Sequence, residues 1–251
     1  QVIPEIKQLF TLPAIVHRTA FTAGQGESFI AELLMDFESK LPAHIKLAYL
    51  PSYGMVKLRL TATGNTKEEV EKELNPVFEE LKIFVKDILV TDEDEGLEIV
   101  TGKILIAKSK TMATAESCTG GNIARLITSV PGSSAYYKGS IVSYDNEVKE
   151  NILGVKKETL KEFGAVSEQT VTEMVRGAVE KLNVDYAVAA SGIMGPGGGS
   201  TEKPAGTIWI AAGNKEKVTT LLLNLRFDRK RNTEIASLTA LNLLRKFILE
   251  N

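Results

Sequence analysis

The sequence predicts an α/β fold: a three-layer α/β/α sandwich on a mixed or mostly parallel sheet, preceded by a small α+β domain. Three observations carry this. The run Tyr186-Ala187-Val188-Ala189-Ala190 lacks alternating polar positions, the pattern of a strand covered on both faces. After Gly96, strand-like and helix-like segments alternate, an order that lays helices on both sides of a sheet. The acidic stretch Thr91-Asp92-Glu93-Asp94-Glu95-Gly96 marks a composition shift and divides the chain into 1–91 and 92–251. The same stretch also reads as an acidic cap on the next helix; either way an element boundary falls near Gly96.

In chain order, His17-Arg18-Thr19 reads as strand and Thr22 to Glu27 as a helix-entry turn whose glycines let the backbone reverse. Glu27 to Leu41 places Phe29, Ile30, Leu33, Leu34, Phe37 and Leu41 at helical spacing, with Pro42 ending the run. Ile45–Tyr49 and Met55–Thr63 alternate as strands about the turn Pro51-Ser52-Tyr53-Gly54. Asn65 is expected to cap a helix with Val70, Leu74, Val77, Phe78, Leu81 and Val85 on one side, kinked or broken at Pro76. Beyond Gly96, helices are expected over Leu97–Lys110, Gly121–Val130, Ser167–Leu182 and Asn232–Leu249. Strands are expected over Thr111–Ala115, Ser140–Tyr144, Tyr186–Ser191, Thr207–Ala212 and Val218–Leu225.

Composition removes several function classes. Thirty Lys and Arg stand against 32 Asp and Glu, so there is no general basic field and no nucleic-acid partner is indicated. A single cysteine excludes an internal disulfide framework and a multi-cysteine zinc site. Both histidines, His17 and His44, lie in the first fifth of the chain, which argues against a His-based metal site or a Ser-His-Asp triad farther on. Nothing approaches the roughly 18 apolar residues of a membrane span, and no export signal opens the chain. A cytoplasmic location without membrane partners is expected. The chain opens on Gln1 rather than Met, so a piece of a longer protein with an upstream domain is expected.

In open α/β sheets ligands gather at the carboxyl ends of strands. Five segments suit such a place. Ala115-Glu116-Ser117-Cys118-Thr119-Gly120-Gly121 leads from a strand into a helix and offers Ser117 or Cys118 as a nucleophile; an ordinary helix cap and a buried structural thiol account for the same residues. Pro131-Gly132-Ser133-Ser134 is a turn with free hydroxyls. Tyr144-Asp145-Asn146-Glu147-Val148-Lys149 opens a helix. With both histidines remote, a serine nucleophile needs another base, and a desolvated lysine helped by a tyrosine hydroxyl can serve; a solvated helix lysine is the simpler reading. Ser191 to Ser200 is glycine-rich, yet it lacks both the Gly-Lys-Ser/Thr ending of a P-loop and the Gly-x-Gly-x-x-Gly order of a Rossmann turn. Arg226-Phe227-Asp228-Arg229-Lys230-Arg231, between a strand and the last helix, is suited to one phosphate or is simply a solvated surface.

These motifs, in this order, together with Gly164-Ala165-Val166-Ser167-Glu168 and Lys203-Pro204-Ala205-Gly206-Thr207, resemble the CinA C-terminal (nicotinamide-nucleotide amidase) domain over Leu97–Asn251. Leu41 to Ser52 resembles the small middle domain of the full-length family, in which a nucleotide-binding domain comes earlier. The resemblance implies hydrolysis of the carboxamide of nicotinamide mononucleotide to nicotinate mononucleotide and ammonia, without metal or organic cofactor in this domain, by a homodimer. By matched position it makes Ser117 the nucleophile, Lys149 and Tyr144 the groups assisting proton transfer, and Thr119, Gly120, Gly132, Ser134, Ser191 and Gly192 the lining of the nucleotide site. Arg229 would reach the phosphate. Phe227 replaces the family's usual Gly, and Thr233 stands where an arginine is often found. Asp145 replaces a common serine, and its charge would raise the lysine's pKa and reduce activity. The alternative is a catalytically weak nucleotide-binding or regulatory module.

Overall fold

The computed structural model describes residues 13–251, and the chain divides into two units, one ending at Asp94 and the other spanning Glu95–Asn251.

The first unit is an antiparallel sheet backed by helices. Its strands β1 (Ala14–Ala23), β2 (Ile45–Ser52), β3 (Met55–Gly64) and β4 (Leu89–Thr91) lie in the order β2-β3-β1-β4. Strand β3 alternates buried Val56, Leu58, Leu60 and Ala62 with more accessible residues, so one face carries the core. The helix expected over Glu27–Leu41 is instead two short ones, α1 (Glu27–Leu33) and α2 (Met35–Ser39), broken at Leu34. Only Ile30, Leu34 and Phe37 of its apolar residues are fully buried, while Phe29 and Leu33 face solvent. The next helix, α3 (Lys67–Phe84), starts one residue later than expected. Its N-cap is Thr66, whose Oγ1 accepts from the Glu69 amide at 3.3 Å. It also runs unbroken through Pro76. Pro76 is exposed, so the Lys72 carbonyl that loses its helical donor lies on the wet side.

The second unit is the three-layer sandwich. Its elements are α4 (Leu97–Ala107), β5 (Met112–Glu116), α5 (Asn122–Thr128), β6 (Tyr137–Val142), α6 (Asn146–Asn151), α7 (Lys157–Phe163), α8 (Glu168–Leu182), β7 (Tyr186–Gly192), β8 (Thr207–Gly213), β9 (Val218–Asn224) and α9 (Arg229–Glu250). The sheet order is β6-β5-β7-β8-β9. The β5 pairs are parallel and the β7–β8 and β8–β9 pairs antiparallel, so the sheet is mixed. Alternation divides the core as expected of a two-sided sheet. Val188 and Ala190 pack with α4, α5 and α9, whereas Ala187 and Ala189 pack with α8.

Two boundaries bear on the site. Strand β6 ends at Val142, not Tyr144, because Asp145 already caps α6 by accepting from the Glu147 amide at 2.8 Å. Helix α9 begins three residues early, at Arg229, because Asp228 caps it through the Arg231 amide. Helix α7 has no counterpart in the expected elements.

Candidate active site at the carboxyl ends of the central strands

Because β6 and β7 both run parallel to β5, the residues that follow all three strands meet at one end of the sheet. Ser117 follows β5 and is tied to the end of β7 by its amide, which donates to the Ala190 carbonyl at 2.9 Å. On the other side, the Ser143 amide donates to the Glu116 carbonyl at 2.8 Å. Ser117 is therefore flanked by Ser143 and Ser191. Its side chain is largely buried, at 8% exposure, and its hydroxyl has no hydrogen-bond partner among the described residues.

Lys149 comes back to this point from α6. It is buried, at 1% exposure, and its Nζ donates to the Ser143 carbonyl at 2.8 Å and the Tyr144 carbonyl at 3.4 Å. Burial pushes its pKa below the ordinary lysine value, against an opposing pull from the Asp145 charge. Asp145 does raise the lysine as expected, but desolvation outweighs it. No hydrogen bond joins Lys149 to Ser117. The lysine lies at the same strand ends without touching the serine hydroxyl.

Tyr144 is 66% exposed, and its hydroxyl accepts from Arg229 Nη2 at 3.2 Å instead of meeting Ser117 or Lys149. Arg229 Nη1 donates to the Gly195 carbonyl at 3.1 Å, so this guanidinium links the β6 end, the glycine-rich loop and the start of α9. Cys118, the rival nucleophile, is buried, and burial pushes its thiol up to about 12. At neutral pH such a thiol is essentially all protonated and a poor nucleophile.

Glu116 is the residue that sequence reasoning passed over. Its carboxylate is fully buried and accepts from six donors. Three are amides at the start of α5, those of Gly121, Ile123 and Ala124; the others are the hydroxyls of Thr114, Thr119 and Ser140. The amides at the start of α5 are thus already taken and closed to a substrate oxyanion. In the turn itself, the Gly120 and Asn122 amides donate to the carbonyls of Ser117 and Thr119. The amides of Cys118 and Thr119 donate to no backbone carbonyl among the described residues. A glutamate in the strand-end position, five residues before a glycine at φ +94° that caps a helix, was the available signal.

The other expected site residues divide. Thr119 donates its hydroxyl to Glu116 at 2.8 Å, and Ser191 donates its hydroxyl to the Ala165 carbonyl at 2.7 Å. Both belong to the cluster, but as parts of its framework. Gly120 is exposed at φ +61°, a conformation that suits glycine, with open space where a side chain would be. Gly192 ends β7 against Ile208 and Thr207, which leave no room for a side chain there. Gly132 and Ser134 are not brought here. Their turn precedes β6, and the Met112–Tyr137 pairing places it at the amino end of β5, the opposite end of the sheet from Ser117.

Among the described residues, no group of three His, Cys, Asp or Glu side chains could hold a metal ion, and no helix is long and apolar enough to cross a membrane. A cavity of about 860 Å³, lined by Arg176, Asn183, Asp185 and Glu216 among others, opens at the far end of the sheet from Ser117.

Residues 94–248 match the CinA C-terminal domain family, and residues 17–89 match the KH domain of damage-inducible protein CinA. A CinA-like protein of Cytophaga hutchinsonii is 44% identical over 98% of this chain, and one of Flavobacterium psychrophilum is 41% identical over 100% of this chain. The chain spans only 59% and 60% of those two proteins. A competence-damaged protein (CinA) superfamily structure from Klebsiella pneumoniae aligns over 62% of this chain and all of its own, at 33% identity and TM-score 0.59.

Proposed function

The chain belongs to the CinA family, and from that premise we propose that its second unit is a cofactor-independent serine amidohydrolase that deamidates nicotinamide mononucleotide. The observation that carries this reading is the buried, desolvated Lys149 amine at the strand ends that flank an unpartnered Ser117 hydroxyl.

In the proposed reaction, Ser117 Oγ attacks the carboxamide carbon as its proton passes to the neutral Lys149 amine. The two N–H bonds of that amine point at the Ser143 and Tyr144 carbonyls, which leaves its lone pair as the proton acceptor. Negative charge on the carboxamide oxygen would fall to the free amides of Cys118 and Thr119. Collapse breaks the C–N bond, and the carboxamide nitrogen leaves as ammonia with the proton returned from Lys149. Water then hydrolyses the acyl-serine to give nicotinate mononucleotide.

The phosphate falls to Arg229. Helix α9 carries three cations, Arg229, Lys230 and Arg231, and no acid in its first turn. The Asp228 cap already answers the helix dipole, so Arg229 is assigned to the phosphate by its place between the glycine-rich loop and Tyr144. Thr119, Gly120, Ser191 and Gly192 would border the rest of the ligand. Gly132 and Ser134 join the site only if a second copy supplies them, which the proposed homodimer allows. A cytoplasmic setting suits this small-molecule substrate.

A second reading, a nucleotide-binding module without turnover, is favoured by one observation: neither Lys149 nor Tyr144 hydrogen-bonds to Ser117. Ammonia release from nicotinamide mononucleotide decides between them. The amidase reading expects release by the wild type, loss in Ser117→Ala by at least about 1000-fold, and retention in Cys118→Ala. Binding without ammonia, or full turnover in Ser117→Ala, overturns it.

A further inference from the structure

Glu116 and Ser117 are chain neighbours with different tasks. The carboxyl group is wholly removed from water and makes no ion pair among the described residues. It is held by hydrogen bonds on both oxygens. Oε1 accepts from Ala124 N at 2.8 Å, Thr114 Oγ1 at 3.2 Å and Ser140 Oγ at 3.5 Å. Oε2 accepts from Thr119 Oγ1 at 2.8 Å and from the amides of Gly121 and Ile123, both at 3.0 Å. Burying these oxygens needs their donors in place, since each one lost leaves a polar atom unpaired in a dry interior. The donors come from both sides of the Ser117 turn and from the neighbouring strand β6. The side chain of residue 116 therefore grips residues 119, 121, 123 and 124, and the loop carrying Ser117 and Cys118 is closed at both ends.

From this we infer that Glu116 is a positioning residue: it fixes the Ser117 turn, and with it the two unpaired amides of Cys118 and Thr119, without touching substrate. The inference rests on the reading of Ser117 as the nucleophile. A nucleophile displaced by about 1 Å loses on the order of 100-fold in rate, whereas the proposed ligand contacts with Arg229, Ser191 and Gly192 lie outside the clamped turn and only those with Thr119 and Gly120 move with it.

Glu116→Gln tests it. The two hydroxyls facing Oε1 can turn to accept from an amide nitrogen, but the Ala124 N–H cannot, so the variant keeps the shape and loses part of the clamp. On the whole chain, the expected result is a kcat for ammonia release lowered by 10- to 100-fold with KM within about threefold. The dissociation constant of nicotinamide mononucleotide, measured with Ser117→Ala in the background, is expected to be unchanged. The rate at which a fluorophosphonate labels Ser117 is expected to fall in step with kcat. Wild-type turnover in Glu116→Gln overturns the inference, and so does a loss of nucleotide binding in parallel with kcat. Should Glu116→Gln fail to fold, Thr114→Val, which removes one donor to the same carboxylate, is expected to lower kcat several-fold with binding intact; no change overturns the inference. The substrate reading is tested separately by the same probe. A wild type that releases no ammonia but is labelled at Ser117, more slowly in Glu116→Gln, keeps the positioning role and sinks the amidase. A wild type that is neither active nor labelled sinks both.

Discussion

Arg229 and Tyr144, 85 residues apart in sequence, are joined by a hydrogen bond in which the guanidinium donates to the phenol oxygen at 3.2 Å. The tyrosine is mostly exposed, and the arginine opens a helix already rich in positive charge. The pair spans two of the turns that sequence alone marks as ligand-binding, and it holds the guanidinium at the mouth of the strand-end cluster.

Arg229→Ala is expected to weaken nicotinamide mononucleotide binding by 10- to 100-fold, the loss of one charge-assisted contact to phosphate at about 1.5–3 kcal/mol. Tyr144→Phe removes the anchor but keeps the cation, so binding is expected to weaken less, by about 2- to 5-fold. Titration calorimetry with the mononucleotide, and with the uncharged nucleoside as control, measures both. A nucleoside that loses as much affinity as the nucleotide in Arg229→Ala would assign the arginine to another part of the ligand.

Lys149 sets the expected pH dependence. Burial lowers its pKa below 10.5, so the neutral, proton-accepting amine becomes populated at lower pH than for a free lysine. Activity is expected to rise with pH and level off before 10.5. Lys149→Arg, which cannot lose its proton in this range, is expected to lose about 100- to 10,000-fold, the contribution of a general base. The same shift acts on stability. Where the folded pKa is depressed, the unfolded chain binds the extra proton, so this contribution is complete above 10.5 and is lost as pH falls through the folded value. Thermal melts of Lys149→Met across the alkaline range are expected to lack that rise.

Gly192 is the close-approach point between β7 and β8. A Cβ there would lie 2.7 Å from Ile208 Cγ1 and 2.8 Å from both the Ile208 Cα and the Thr207 carbonyl oxygen. Gly192→Ala forces two hydrogen-bonded strands apart and is expected to cost about 1–3 kcal/mol. In a unit of this size that lowers Tm by roughly 2–12 °C, readable by calorimetry. An unchanged Tm would mean that the β7–β8 pair yields more easily than its packing indicates.

Most elements of the second unit are legible in the sequence because their signals are local. Tyr186–Ala190 has no alternating polar positions and so reads as covered on both faces. Ser167 sits where a short polar side chain can take the first amides of α8, whereas Asp228, which does the same for α9, is hidden in a run of cations and the helix is expected only from Asn232. Where local signals compete, reading along the chain falters. Phe29 and Leu33 fit a helical stripe but face solvent, because only Ile30, Leu34 and Phe37 reach the first unit's core. Pro76 signals a break, yet its missing amide leaves an exposed carbonyl that water can satisfy, so α3 continues.

The sequence by itself determined a small α+β unit ahead of a sheet with helices on both faces, and which turns carry hydroxyl, amine and guanidinium groups; that the sheet is mixed came from the strand pairings. Only the tertiary structure decided which of those groups meet. The β6-β5-β7 order and its register set Ser117 between residues 143 and 191 and sent the Gly132–Ser134 turn to the opposite end. It also turned Glu116 into the start of α5 and aimed Lys149 at two carbonyls. The physical reason is range: caps and periodicity act within a few residues along the chain, whereas the partner of a buried charge is chosen by which strands lie side by side.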